Sequence, residues 1–239
     1  MALYLTRREV YNSVVSMDVS ISRVAEDIKE GERVVKILRG ELPALPFTVT
    51  KETQQNAPGP WIKIYDRDYS VDGISATWTV IKPGDGASIL PILEMDGKRY
   101  FVLEYKPDPS ISQWLLELPA GGVKKGEGSE VTAKRELAEE TGYAAQNLAL
   151  FMSGMHSAPW RLDHTEDVYI ATNLVRGERN LEYEEQPIKV CAIPVDTVAA
   201  LLRENRIQDM RVVAVISSYL LQHGTGAAGL LRKGEGQAA

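Results

Sequence analysis

GGVKKGEGSEVTAKRELAEETGY, Gly121–Tyr143, concentrates carboxylates in a run that favours a helix. Five residues separate Gly121 from Glu127 and seven separate Glu127 from Arg135; Arg135-Glu136-Leu137 is then followed by Glu139-Glu140 and Gly142-Tyr143. The spacing predicts a helix from about Glu130 to Thr141, with Ser129 placed to cap its start and Gly142 placed to end it. On such a helix Glu136 and Glu140 lie four apart and project from one face, with Glu139 three from Glu136. Carboxylates stacked in this way repel each other. A solvated face tolerates the repulsion, but several converging hard oxygen donors are also what Mg²⁺ or Mn²⁺ requires. Arg135, four residues before Glu139, is within reach of it for a charge-assisted hydrogen bond.

The flanking sequence has the texture of short strands. Ala87–Met95 (ASILPILEM) and Lys98–Tyr105 (KRYFVLEY) are β-forming runs on either side of Asp96-Gly97, a strong hairpin signal. Upstream, Trp61–Val71 (WIKIYDRDYSV) and Ala76–Lys82 (ATWTVIK) read as a second hairpin turning at Asp72-Gly73. Downstream, Asp167–Leu174 and Ile188–Val195 read as strands, and Val195–Asn205 and Asp209–Gln222 as helices. Strands surround few helices without regular βαβ alternation, so the class is α+β with a helix-covered mixed sheet. Between Val14 and Leu38 periodicity alone leaves helix and strand both open. Glu52–Pro60, behind Pro43 and Pro46, is the best linker candidate, and the Gly- and Ala-rich tail His223–Ala239 is expected to fray.

Composition narrows the function classes. The 239 residues carry 27 Lys+Arg against 33 Asp+Glu, a net charge of −6, which argues against a broad nucleic-acid or anionic-lipid footprint. An anionic partner would therefore need a cation to bridge it to the protein. Arg7, Arg8 and Glu9 interrupt what a signal peptide would keep apolar, and Val212–Leu221 is half the length a bilayer span needs, so no membrane partner is expected. The single cysteine, Cys191, excludes an internal disulfide and fits a cytoplasmic location; it reads as a small core residue. His156, His164 and His223 are read as structural by default.

The Gly121–Tyr143 stretch matches the Nudix box, G-x5-E-x7-R-E-U-x-E-E-x-G-U with U a bulky apolar residue, at every defined position, and so resembles the Nudix hydrolase superfamily. That resemblance implies an α/β/α sandwich with a mixed central sheet and metal-dependent hydrolysis of a nucleoside diphosphate linked to another group. Trp114–Gly122 (WLLELPAGG), the paired strands before it, and Pro159 sixteen residues after Tyr143 resemble the ADP-ribose pyrophosphatase branch. The implied reaction gives AMP and ribose 5-phosphate from ADP-ribose, or NMP and a sugar phosphate from a related nucleoside diphosphate sugar.

The same resemblance assigns roles by position. The Ala120 carbonyl, Glu136 and Glu140 would hold Mg²⁺ or Mn²⁺, with Glu127 orienting the box or completing an outer shell. Glu166 would be the base, with Asp163 and Asp167 as alternatives in the same loop, Glu139 as runner-up, and Arg135 supporting Glu139. Trp61 and Trp78 stand where eukaryotic ADP-sugar pyrophosphatases sandwich adenine, on a sheet that also builds a homodimer, although both tryptophans are equally readable as core or interface. Lys106 stands where the family commonly has Arg; it neutralises phosphate without the bidentate fork, which puts sugar preference in doubt. Trp160 replaces a usual glycine in a loop two or three residues longer than the family's. The implied organisation is a 1–55 extension, a 56–82 sheet and dimerisation segment, an 83–222 Nudix domain with the hydrolase chemistry, and a 223–239 tail. GDP-mannose or UDP-sugar hydrolysis on the same site, and a non-catalytic nucleotide-binding regulatory module, are the competing readings.

Overall fold

A computed structural model describes residues 7–40, 62–71, 74–180 and 187–224, with side chains from residue 20 onward. Trp61, the Asp72-Gly73 turn, the linker candidate Glu52–Pro60 and most of the tail lie outside the described residues. The ambiguous N-terminal segment is one helix, α1 (Arg7–Arg39). Its buried positions, Val24, Asp27, Gly31 and Val34, recur at the three-and-four spacing of a helical stripe.

Strands β1 (Lys63–Val71) and β2 (Ile74–Lys82) pair antiparallel as a separate two-stranded sheet, in register from Lys63 opposite Lys82 to Val71 opposite Ile74. The main sheet is built around β3 (Gly86–Met95), whose first half pairs parallel with β8 (Glu166–Arg176) and whose second half pairs antiparallel with β4 (Lys98–Asp108). At the β3–β4 turn Asp96 and Gly97 both take positive φ, 51° and 70°, as the Asp-Gly signal required. Along β4 lie β5 (Gln113–Glu117) and, on the opposite edge, β9 (Lys189–Pro194). The short β6 (Ala120–Gly122) pairs with Gly86–Ser88, and β7 (Tyr143–Met155) pairs antiparallel with β8. The sequence reading missed β5, β6 and β7 as strands.

Alternation along the strands sorts the core into two layers. Leu90, Ile92, Phe101, Leu103, Cys191 and Ile193 pack against α3 (Val195–Arg203) and α4 (Met210–His223). Ala87, Ile89, Leu93, Tyr100 and Val102 pack on the other face against Ala133 of α2 (Ser129–Glu136) and Val24 of α1. Helices therefore cover both sides of a mixed sheet. Each fully buried Leu, Ile or Phe contributes about 1.5–3 kcal/mol, so the two layers carry most of the stabilisation.

The box helix departs from expectation at both ends. Its N-cap is Gly128, with no side-chain cap, because the Ser129 hydroxyl is turned away to Asp167 Oδ2 and Tyr169 Oη, both at 2.7 Å. Regular α-helix ends at Glu136 and gives way to a π-helical turn, Leu137–Thr141, which Gly142 closes in the left-handed region at φ 73°. Such turns are rare and cluster at functional sites.

Candidate active site

Box residues converge on the backbone of β6. Glu140 is buried at 3% exposure, and its Oε2 accepts from Ala120 N at 2.9 Å. Glu136 reaches the next residue along: a Cβ on Gly121 would stand 1.8 Å from Glu136 Oε1, so only glycine admits this carboxylate. Arg135 ties the group together. Its Nη1 donates to Glu136 Oε1 at 2.6 Å and to Glu139 Oε2 at 3.0 Å, while Nη2 donates to Glu127 Oε2 and Gly122 O, both at 3.3 Å. Glu127 also accepts from Thr132 Oγ1 at 2.9 Å, and these bonds hold its carboxyl below the usual range.

The sheet beneath adds charges that sequence spacing did not reveal. Glu104 of β4 is fully buried and stands opposite Glu117 of β5 in register, with Lys106 two residues further along the same face. Lys106 Nζ pairs with Glu117 Oε2 at 3.3 Å. Burial works against the ammonium, but Glu117, Glu104 and Glu140 outweigh it and hold its pKa above the ordinary value. For Glu140 the balance is opposite: burial first and then Glu104 push its carboxyl strongly upward, against Lys106 and the Ala120 N–H. This corner thus holds more carboxyls than one lysine can neutralise if all were ionised.

Glu166 approaches from the other side of β3. Gly86 is in register with Gly122 of β6 on one edge and with Glu166 of β8 on the other, which puts the two strands roughly 10 Å apart. The Glu166 carboxylate is held by Ser88 Oγ and by Arg211 Nη1, the latter 3.2 Å from Oε1, while Oε2 lies 3.8 Å from His164 Nε2. His164 Nδ1 donates to Gly84 O, which fixes the ring. Ala120, Gly121, His164, Glu166 and Arg211 line one 240 Å³ pocket. Glu166 and Arg211 also line a second, largely apolar cavity of 220 Å³ with Met152, Met155, Met210 and Val168.

The two alternative acids point elsewhere. Asp163 pairs with Arg67 of β1 at 3.0 Å and with Lys82 of β2 at 3.6 Å. Asp167 accepts from Ser129, Ser153 Oγ and Gly154 N. Trp78 is 43% exposed in a separate 460 Å³ pocket shared with Arg67, Tyr69 and Asp163, where its Nε1 donates to Trp160 O at 3.0 Å and Arg161 lies 5.0 Å over its ring. The structure therefore brings Ala120, Glu127, Arg135, Glu136, Glu139, Glu140 and Lys106 together, sets Glu166 across the strand, and sets Trp78 apart. Ser88 and Arg211 carried no sequence signal, because they reach Glu166 across 78 and 45 residues.

The donors are hard oxygens, and Glu140 is a buried carboxyl whose ionised form a divalent cation would stabilise, so the residues fit Mg²⁺ or Mn²⁺ chemically. Among the described residues, no three His, Cys, Asp or Glu side chains already surround one point at ligand spacing. Arg135 occupies Glu136 and Glu139 in this arrangement.

Comparison with known proteins bears on the same region. The family model described as NUDIX domain matches residues 82–214. An ADP-ribose pyrophosphatase of Bacillus subtilis (strain 168) is 26% identical over 182 residues, covering 75% of this chain and 95% of that protein. A methanol dehydrogenase activator of Bacillus methanolicus is 26% identical over 174 residues, covering 72% and 92%. The ADP-sugar pyrophosphatase of Mus musculus is 33% identical over 97 residues, covering 37% and 44%. A crystal structure of an ADP compounds hydrolase superposes with TM-score 0.60 at 19% identity, over 72% of this chain and 93% of the other, a likeness of fold.

Proposed function

The chain belongs to the NUDIX domain family as an ADP-ribose pyrophosphatase-like hydrolase, and we propose that it splits the diphosphate of ADP-ribose or a similar nucleoside diphosphate sugar. The observation that carries the reading is the meeting of Glu136 and Glu140 at Ala120-Gly121, with Glu166 facing the same pocket. The names of the Bacillus and mouse relatives support the substrate class.

In this proposal Ala120, Glu136 and Glu140 hold Mg²⁺ or Mn²⁺, and Glu127 anchors Arg135 behind them. A bound cation supplies neutralisation of the diphosphate and a lower pKa for water. Glu166 orients the attacking water and takes its proton through Oε2, since Ser88 and Arg211 occupy Oε1. Water adds its oxygen to one phosphorus in line, the bridging P–O bond breaks, and ADP-ribose leaves as AMP and ribose 5-phosphate. Arg135 keeps Glu139 in place, and Glu139 is the second candidate for the base. Lys106 offsets the carboxylates and attracts phosphate. Trp78 offers an exposed face to the base, worth about 1–3 kcal/mol if it stacks; the second tryptophan assigned to the base by resemblance, Trp61, lies outside the described residues.

A homodimer formed through the β1–β2 sheet fits the exposure of Ile64, Tyr65, Tyr69 and Ile74, the last at 74%; a solution mass of 26.4 kDa would contradict it. The division into a 1–55 extension, a 56–82 sheet segment, an 83–222 catalytic domain and a 223–239 tail goes with this proposal. So does a cytoplasmic place of action, which fits the single, buried Cys191. No described helix is long and apolar enough to cross a membrane.

One observation favours a second substrate within the class. Lys106 stands where an Arg fork is usual, and it is already paired with Glu117, which leaves preference among sugars open to GDP-mannose or UDP-glucose. The test is a panel of ADP-ribose, GDP-mannose, UDP-glucose and NADH with Mg²⁺ or Mn²⁺, scored as phosphate released by a coupled phosphatase. ADP-ribose should give the highest kcat/KM. Tight ADP-ribose binding with no turnover of any substrate would turn the reading to a regulatory module.

A further inference from the structure

We propose that α1 is a brace for the π-helical turn that carries Glu139 and Glu140, with Asp27 and Arg23 as positioning residues. This rests on the reading of those carboxylates as catalytic machinery.

Asp27 sits midway along α1 with only 7% of its surface exposed, where a charge needs close partners to be tolerated. Its Oδ2 accepts from Tyr143 Oη and from Arg176 Nε, each at 2.9 Å. Tyr143 is the last residue of the box, and the Arg176 guanidinium lies 5.0 Å over its ring. A Cβ on the preceding residue, Gly142, would stand 2.1 Å from Arg176 Nη1, so this arginine packs directly on the cap of the π-helical turn.

A second connection runs in parallel. About one turn earlier in α1, Arg23 donates to Gly177 O at 3.0 Å and to Glu178 Oε1 at 2.9 Å. The segment it grips holds the π-helical turn by the backbone: Gly177 N donates to Gly142 O at 2.7 Å, and Asn180 N to Glu139 O at 3.2 Å. Val24, between Arg23 and Asp27, belongs to the same apolar cluster as Ala133, Leu137 and Tyr143. The helix itself is fixed at Gly31, where a Cβ would stand 2.2 Å from Ala192 O of β9.

A π-helical turn is the less stable form of helix and persists where its surroundings over-determine it. Here they do so at its middle, Glu139, and at its closing residue, Gly142, through contacts that trace back to α1. Asp27 and Arg23 touch neither substrate nor metal donor, so their influence is on the placement of Glu139 and Glu140. A helix that merely covered the sheet would need only its apolar contacts and the exposed Arg39–Glu204 pair at its far end.

The experiment compares Asp27→Asn and Tyr143→Phe with Arg39→Ala as control. Mn²⁺ affinity is read without nucleotide from the free-ion EPR signal, and kcat and KM are measured with ADP-ribose. In Asp27→Asn and Tyr143→Phe, Mn²⁺ affinity and kcat should each fall about tenfold, the scale of outer-shell effects, with KM within about twofold of wild type. Arg39→Ala should match wild type in all three. Mn²⁺ affinity and kcat near wild type in both test variants, or equal losses in Arg39→Ala, would overturn the brace. If Asp27→Asn does not fold, Tyr143→Phe, which removes one hydroxyl, decides alone. A wild-type protein that neither binds Mn²⁺ nor turns over any nucleotide sugar fails the catalytic reading instead, and the brace falls with it.

Discussion

The Glu166 carboxylate is divided between two tasks. Oε1 is committed to Ser88 and Arg211, and this leaves Oε2 beside His164 to meet a water. Glu139 is also held, by Arg135, but on the opposite side of β3. Glu166→Gln should therefore lose about 10²–10⁴ in kcat, together with the acidic limb of its pH–rate profile. Glu139→Gln should keep that limb; if the two profiles are exchanged, Glu139 is the base. At this scale the box residues were legible because their spacing is local. Glu104, Glu117, Ser88 and Arg211 were not, since cross-strand and cross-sheet partners leave no pattern within a window of sequence. Lys106 was legible as a cation but not as one already bound to Glu117.

Among the elements, the start of α2 shows how a local rule is overridden. Ser129 had the position and chemistry of an N-cap, but Asp167 and Tyr169 on β8 offered its hydroxyl better-placed partners. The Asp167 carboxyl, bonded to Ser129, Gly154 N and Ser153, lies below its ordinary range, with the Ser129 bond the largest cause. A lowered carboxyl stabilises the fold above the unfolded-state pKa, and that contribution is lost as pH falls through the folded-state value. Asp167→Asn should accordingly destabilise by about 1 kcal/mol at pH 7, after allowance for solvent screening, and the gap in Tm should narrow once the pH is taken below the ordinary carboxylate range. An equal gap at pH 7 and below that range would show that packing, not charge, is lost. The strand β7 escaped the sequence reading because Tyr143–Met155 holds three alanines with Gln146, Asn147 and Gly154 and no β-branched residue, and register shifts around Met152 break its alternation. The helix α1 was undecidable because Asp27 and Gly31 occupy two of the four buried positions among its described side chains, which interrupts the apolar stripe that marks a helix.

Across the whole molecule, the α+β class and the helix-covered mixed sheet followed from strand texture and one helix, and the structure has that form. The family match at residues 82–214 stops short of α1, yet α1 is wired into the box through Asp27. The net charge of −6 also acquires a location, since Glu104, Glu117, Glu136 and Glu140 crowd one buried corner with Lys106. Glu140 is where that crowding is most severe, and a neutral glutamine should fit there without loss of fold. The most direct measurement is therefore turnover of ADP-ribose by Glu140→Gln at saturating Mg²⁺, with Tm recorded without metal. The account predicts a rate more than ~10²-fold below wild type, beyond the usual range for outer-shell groups, with metal-free Tm equal or higher. A variant that keeps wild-type turnover would contradict the assignment of Glu140 to the metal and, with it, the catalytic site.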